Sequence, residues 1–331
     1  MLPYILRRIG VMVIVLAAVS VCAFVIIQLP PGDYLDDYIA GLQARGTEVD
    51  QAEIEALRHQ YGLDRPIYLQ YLRWVGKIVR GDMGYSFIYA KPVEVLLKER
   101  LPLTVTISVL TLLFVYAVAV PIGIYSATHQ YSFADYGFTV FGFVGLATPN
   151  FLLALVMMML FFYLFGLNIG GLFSMEYVGA PWSFGKLLDL LAHLPVPIVV
   201  LGTAGTAGLI RVLRGSLLDE LAKQYVITAR AKGLDEQRLL FKYPVRVAVN
   251  PILSTVGWLL PEIVSGETIV AIVLGLPTIG PLVFNSLLSQ DMLLAGSTIM
   301  LLSFLTVVGT LISDLLLVLV DPRIRFEAVQ S

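Results

Sequence analysis

Apolar blocks long enough to cross a bilayer alternate along the chain with short polar connections and two longer charged segments. They run from Ile9 to Leu29, Leu103 to Ser126, Tyr136 to Phe165, Leu194 to Ile210, Val247 to Leu276 and Leu293 to Val320. About 20 apolar residues span the hydrocarbon core as a helix, so the pattern predicts an all-α membrane protein with six transmembrane helices. Two of the blocks are 30 residues long, about 45 Å as straight helices against a core of about 30 Å. In the block from Tyr136 to Phe165, Thr148-Pro149-Asn150 reads either as a kink or break or as a tolerated proline in a tilted helix. In the block from Val247 to Leu276, Pro251, Pro261, Gly266 and Gly275 predict a broken or bent span.

The first block follows Arg7 and Arg8, as a secretory signal would. Its 21 residues exceed the roughly 7 to 15 of a signal's apolar region. Gln28-Leu29-Pro30-Pro31 also lacks a small-x-small cleavage site, so a retained helix is expected.

Composition agrees with a membrane protein. Of 331 residues, 58% are hydrophobic and 14% charged, against about 25% charged in soluble domains. The mean hydropathy of +0.84 excludes a water-soluble globular protein. A net charge of −2 without an uninterrupted basic stretch gives no sign of nucleic-acid binding. The lone Cys22 forms no intrachain disulfide and reads as a small buried hydrophobe.

Basic residues orient the helices. Arg7 and Arg8, Arg323 and Arg325, and the eight Lys and Arg between Arg211 and Arg246 place twelve of 22 basic residues on one face. Lys186 is the only one in the two short loops of the other face, and long exported segments such as Pro30 to Pro102 are exempt from the rule. Both termini and the loop after span four are therefore expected to be cytoplasmic.

The segment Pro30 to Pro102 carries 11 acids and nine bases and reads as a soluble external subregion. Gln51 to Tyr61 and Ile67 to Val79 have helical apolar spacing, and either could lie on the membrane surface or pack on the ends of the spans. The expected division is 1–102, a first helix with a periplasmic segment, and 103–331, a five-helix core.

No catalytic constellation is found. His59, His129 and His193 have no metal-ligand spacing, and no phosphate-binding Gly-x-x-x-x-Gly-Lys loop or Gly-x-Ser-x-Gly elbow occurs. Neither catalysis, a metal nor a cofactor is expected, and if ATP drives the protein another chain binds it. Glu262 and Glu267 in span five and Asp314 in span six are the ionisable residues within apolar blocks. A mid-span carboxylate costs on the order of 3 kcal/mol to insert, so all three are candidates for a translocation pathway. At about 100° per residue, Glu262 and Glu267 share a cavity only if Pro261 or Gly266 breaks the span.

The segment Leu217 to Arg246 is the long charged stretch of the inner face. A helix is expected over Leu221 to Lys232, a stop with positive φ at Gly233, and a second helix opening at Asp235-Glu236. Two short helices about a glycine make a rigid knob.

Tyr225 to Leu234 resembles the Glu-Ala-Ala-x-x-x-Gly loop of bacterial ABC importer permeases, with Ile227, Thr228 and Ala229 at its first three positions and Gly233 at its glycine. Thr228-Ala229-Arg230-Ala231-Lys232-Gly233-Leu234 is similar to the dipeptide, oligopeptide and nickel branch. So, in order, are Tyr4-Ile5-Leu6-Arg7-Arg8, Tyr61-Gly62-Leu63-Asp64-Arg65-Pro66, Gln70-Tyr71-Leu72-Arg73-Trp74, Gly81-Asp82-Met83-Gly84-Tyr85-Ser86, Glu99-Arg100-Leu101-Pro102, Glu267-Thr268 and Asp321-Pro322-Arg323-Ile324-Arg325. Val245-Arg246 stand where the general motif has Leu-Pro.

The resemblance implies a type I ABC importer permease fold in the bacterial inner membrane. It also implies a second homologous permease, two ATPase subunits, a periplasmic solute-binding protein, the surrounding lipid, and ATPase coupling through Tyr225, Thr228, Ala229, Arg230, Ala231, Lys232, Gly233 and Leu234. Peptides are the implied cargo, with oligosaccharides or opines as the alternative. From the residues alone, an ion-coupled secondary transporter using Glu262 and Asp314, or an intramembrane enzyme, stays open. The first lacks visible inverted repeats and the second lacks a partner catalytic residue.

Overall fold

A computed structural model describes residues 2–28, 65–86, 88–166, 168–256 and 268–320, with side chains through 312 in the last segment. In chain order the described elements are α1 (Leu2–Gln28), α2 (Ile67–Val79), a hairpin of β1 (Tyr85–Ser86) and β2 (Lys91–Pro92), α3 (Val93–Thr128), α4 (Phe133–Ala147), α5 (Asn150–Phe165) and α6 (Phe184–His193). They continue with α7 (Pro195–Leu221), α8 (Gln224–Ala231), α9 (Glu236–Lys242), α10 (Pro244–Ala248), α11 (Asn250–Ser254), α12 (Thr268–Leu274), α13 (Ile279–Leu288) and α14 (Met292–Val320).

Four uninterrupted helices are long and apolar enough to cross a membrane, and two broken pairs bring the number of candidate spans to six among the described residues. The pair α4 and α5 bends by 105°. Thr148 takes an extended conformation that ends α4, and Pro149 precedes the first turn of α5. Of the two readings of Thr148-Pro149-Asn150, the break is the one found, because a residue before proline is pushed out of the helical region. The pair α12 and α13 is separated by a turn at Gly275, whose φ is +66°. The apolar block from Val247 to Leu276 is accordingly not one helix: α11 ends at Ser254, and the described part of α12, from Thr268 to Leu274, ends before the turn at Gly275.

The fourth span is longer than its apolar block. Leu194 is helical (φ −63°, ψ −34°), so α6 and α7 run on as one 38-residue helix, about 57 Å long. Pro195 and Pro197 sit in the first turn of α7, where a missing N–H costs least. Cys22 is exposed, not buried. It lies on an α1 whose apolar side chains are mostly turned outward, as expected where lipid rather than protein covers a helix.

The described residues form two compact units, one within 2–4, 104–277 and 306–320, the other within 5–103 and 278–305. In the first, α7 is the central helix. Leu209, Leu213 and Leu217 form a stripe at four-residue spacing, packed against Val115, Ala119 and Ala127 of α3, Val245 and Ala248 of α10 and Ile252 of α11. The Tyr116 hydroxyl of α3 donates to the Ile252 carbonyl at 2.6 Å.

An ion pair closes one end of this packing. Ser132 caps α4 by accepting from the Asp135 N–H, and Asp135 receives Arg214 Nε and Nη2 at 3.2 Å each. The Asp135 side chain is 4% exposed and that of Arg214 30%. Removing one partner strands a charge, so Asp135→Ala should cost about 2–3 kcal/mol, less than for a fully buried pair because Arg214 keeps some water. Thermal unfolding in detergent should register this as a lowered midpoint, and Asp135→Leu combined with Arg214→Met should recover most of it.

In the second unit, Val93, Leu96 and Leu97 of α3 pack with Leu282 of α13 and Leu294 of α14. The hairpin is fixed beside them. Ser86 Oγ donates to Asp291 Oδ2 at 2.7 Å, Ser297 Oγ to the Met83 carbonyl at 3.0 Å, and Gly84, at φ +83°, lies against Leu293.

Candidate functional site

The knob after α7 is the site with the most specific construction. Its first helix begins at Gln224 rather than Leu221: α7 runs on to Leu221, and extended Lys223 separates the two. At the other end, Gly233 has φ +77°. The Gly233 N–H reaches the Arg230 carbonyl at 3.0 Å and the Leu234 N–H reaches the Ala229 carbonyl at 3.4 Å. These are the paired bonds of a Schellman cap, with glycine at its left-handed position. Asp235 then caps α9 by accepting from the Arg238 N–H.

The two helices close on a small core of Val226, Ala229 and Leu239, flanked by Leu234 and Tyr243. Two polar clasps tie the exterior. Arg230 Nε and Nη2 reach the Glu236 carboxylate at 2.5 and 3.1 Å across the glycine turn. Tyr225 Oη donates to Glu220 Oε2 at 2.5 Å, joining α8 to the last turn of α7.

Hydrogen bonding to Arg230 holds the Glu236 carboxyl below its ordinary value and raises the guanidinium. The clasp's contribution is therefore complete above the ordinary glutamate range and is lost as pH falls through the lowered value. Partial burial, with the Glu220 carboxylate beside it, pushes the Tyr225 phenol up to about 12. Its contribution is present below the ordinary tyrosine value and is lost as pH rises through about 12, so the phenol stays a donor near neutral pH.

The expected coupling residues thus separate by position. Ala229 is buried and Leu234 half-buried inside the knob, while Tyr225, Arg230 and Gly233 shape and brace it. Thr228, Ala231 and Lys232 are exposed on its outer side, and the Thr228 hydroxyl bonds back to the Gln224 carbonyl. Glu262, Glu267 and the side chain of Asp314 lie outside the described residues; the backbone of Asp314 belongs to α14.

Sequence reasoning missed Glu220, the clasp between Arg230 and Glu236, and the Asp135–Arg214 pair. The capping spacings Ser132-x-x-Asp135 and Asp235-x-x-Arg238 were visible signals for the local part of these contacts. It also missed Asp291, a fully buried acid that receives the Leu294 N–H at 3.2 Å and caps α14.

The chain matches the family described as binding-protein-dependent transport system inner membrane component over residues 119–326, and one described as the N-terminal part of a binding-protein-dependent transport system membrane component over residues 1–108. It is 35% identical to the oligopeptide transport system permease protein AppB of Bacillus subtilis, over 98% of this chain and 100% of that protein. It is 33% identical to a putative peptide permease protein of Brucella ovis over 98% and 99%. It is 29% identical to the inner membrane ABC transporter permease protein YejB of Escherichia coli O157:H7, again over 98% and 99%. A helical chain with several apolar spans and this end-to-end likeness belongs to the inner membrane components of binding-protein-dependent transport systems, as a permease subunit of an ABC importer.

Proposed function

We propose that this permease carries peptides or similar oligomeric solutes, forming half of the pathway beside a second homologous permease. In this reading two ATPase subunits hydrolyse ATP, and a periplasmic solute-binding protein delivers the cargo. Support for the cargo class comes from the full-length relatives, whose names specify oligopeptides or peptides. Residues 1–102 serve as first helix and periplasmic segment, and 103–331 as the transport core.

The observation that carries the coupling role is the knob's attachment. Its second helix leads directly into α10 and α11, which pack on α7 and α3 through Val245, Ala248 and Ile252. Closure of the ATPase pair moves Thr228, Ala231 and Lys232, and the braced knob passes that displacement to the helices as one body. An ATPase state can do this only by binding one arrangement of the permease better than the other. Glu262, Glu267 and Asp314 remain the carboxylates assigned to the pathway.

The topology has both termini and the knob in the cytoplasm. In a Cys22→Ala background, Gln237→Cys should be shielded from an impermeant thiol reagent in intact cells, while Gln43→Cys should react. Labelling of Gln237→Cys from outside would refute that orientation. For function, the chain co-purified with its ATPases should hydrolyse ATP faster when the peptide-loaded binding protein is added. Stimulation only by an oligosaccharide or opine would keep the class and replace the cargo.

A further inference from the structure

α2 has one face held by protein, and the rest of its circumference bears two contrasting surfaces. At about 100° per residue, Tyr71 and Trp74 fall within an arc of about 60°, Tyr68, Leu72 and Val79 within a second of about 40°, and Arg73, Lys77 and Arg80 within a third of about 60°. The first arc, with Tyr71 and Trp74, is the held face. Tyr71 Oη bonds Ser20 Oγ of α1 at 2.8 Å, and Phe24 of α1 lies 5.3 Å from the Tyr71 ring and 5.8 Å from the Trp74 ring, centroid to centroid. Trp74 also fits so closely over Gly296 of α14 that a Cβ there would meet its ring at 2.7 Å.

The second arc is apolar and, among the described residues, exposed: Tyr68 is 66% exposed, Leu72 61% and Val79 80%. The third, on the opposite flank, carries exposed Arg73, Lys77 and Arg80. No acid occurs between Ile67 and Arg80. Lys77 lies 3.8 Å from Asp82, and both side chains are more than half exposed.

The position of α2 decides what covers the apolar arc. Phe24 and Ser20 are four and eight residues inside the Gln28 end of α1, about 6 and 12 Å along the helix axis. Neighbouring Val21, Val25 and Ile26 of the same span are themselves exposed, so the apolar arc continues a surface that faces lipid. A helix lying 5 to 10 Å into the headgroup boundary, with basic residues along one flank, is the form an interfacial anchor takes.

We propose that α2 lies in the leaflet at the Gln28 end of α1, with Tyr68, Leu72 and Val79 among the acyl chains and Arg73, Lys77 and Arg80 on the phosphates of anionic phospholipid. The bilayer thereby holds α2 against α1 and α14 and sets the height of the hairpin that follows it. This assignment does not depend on which side of the membrane the termini occupy.

The test uses the full chain, in a Cys22→Ala background, reconstituted in vesicles of phosphatidylcholine with phosphatidylglycerol. Spin labels at Leu72→Cys and Val79→Cys should collide with oxygen in clear excess over a water-soluble nickel chelate, and a label at Arg73→Cys should reverse that order. Arg73→Gln combined with Lys77→Gln and Arg80→Gln should lower the phosphatidylglycerol retained relative to phosphatidylcholine by at least about fivefold, each basic residue contributing electrostatically at the membrane surface. Nickel access at Leu72 and Val79 would overturn the proposal, as would shielding from both reagents, the result expected if a protein partner covers this face. Unchanged phosphatidylglycerol retention would overturn the headgroup assignment.

Discussion

Gly233→Val should insert and purify like the parent chain yet lose binding-protein-stimulated ATP hydrolysis and transport. Nothing lies within 4 Å of where a Cβ would stand, so crowding plays no part. The whole penalty comes from φ +77°, which a β-branched residue tolerates worst. Strain of about 2 kcal/mol corresponds to a factor of about 30 in the population of the correct turn. Relieving it breaks the two cap bonds at Arg230 and Ala229 and draws Leu234 off the knob core. Because the cause is conformational, the series has a definite order. Gly233→Asn, whose new side chain accepts the left-handed region more readily, should retain much of the activity, Gly233→Ala less and Gly233→Val least. Enlarging Thr228 or Ala229 should give milder defects. Vesicles carrying Gly233→Val that import at the parental rate, with normal stimulated ATPase activity, would remove the knob from the mechanism.

What the sequence made legible was set by local chemistry. The spacing of Ile67, Tyr71, Trp74, Val75 and Ile78 predicted α2 with the bounds found, because an amphipathic stripe between Pro66 and Gly81 leaves little freedom. The positive φ at Gly233 and the helix opening after Asp235 followed from single residues with strong preferences. The split between α7 and α8 at Ala222 and Lys223 had no such marker, since neither residue breaks helices. The continuation of α6 into α7 ran against the usual effect of Pro195 on its predecessor.

Contacts far apart along the chain were beyond reach for a related reason. Asp135 and Arg214 are 79 positions apart and Ser86 and Asp291 are 205 apart, and no periodicity joins them. Treating acids in apolar blocks as pathway candidates also passed over Asp291, which stands just before its block and is buried for structural reasons.

Asp291→Ala should release the hairpin from the start of α14. The Asp291 carboxylate accepts from the Ser86 hydroxyl at 2.7 Å, the Leu294 N–H at 3.2 Å and the Ile88 N–H at 3.4 Å, and both Ser86 and Asp291 are fully buried. Alanine leaves the Ser86 hydroxyl and the first turn of α14 without this acceptor, at about 1–3 kcal/mol for the buried donor and about 1 kcal/mol for the cap. A combined loss of about 3 kcal/mol should raise local opening by about a hundredfold. Hydrogen exchange should report it as lost protection at Ser86, which pairs with Lys91, and at Val93, whose N–H donates to the Gly84 carbonyl at 3.0 Å. Asp291→Asn keeps an acceptor for the cap and a partner for Ser86 and should lose far less. Ser86→Ala should fall between them, because it removes one donor but leaves α14 capped. Parental protection in Asp291→Ala would show that the fit of Gly84 over Leu293 and the bond from Ser297 to Met83 hold the hairpin without the carboxylate.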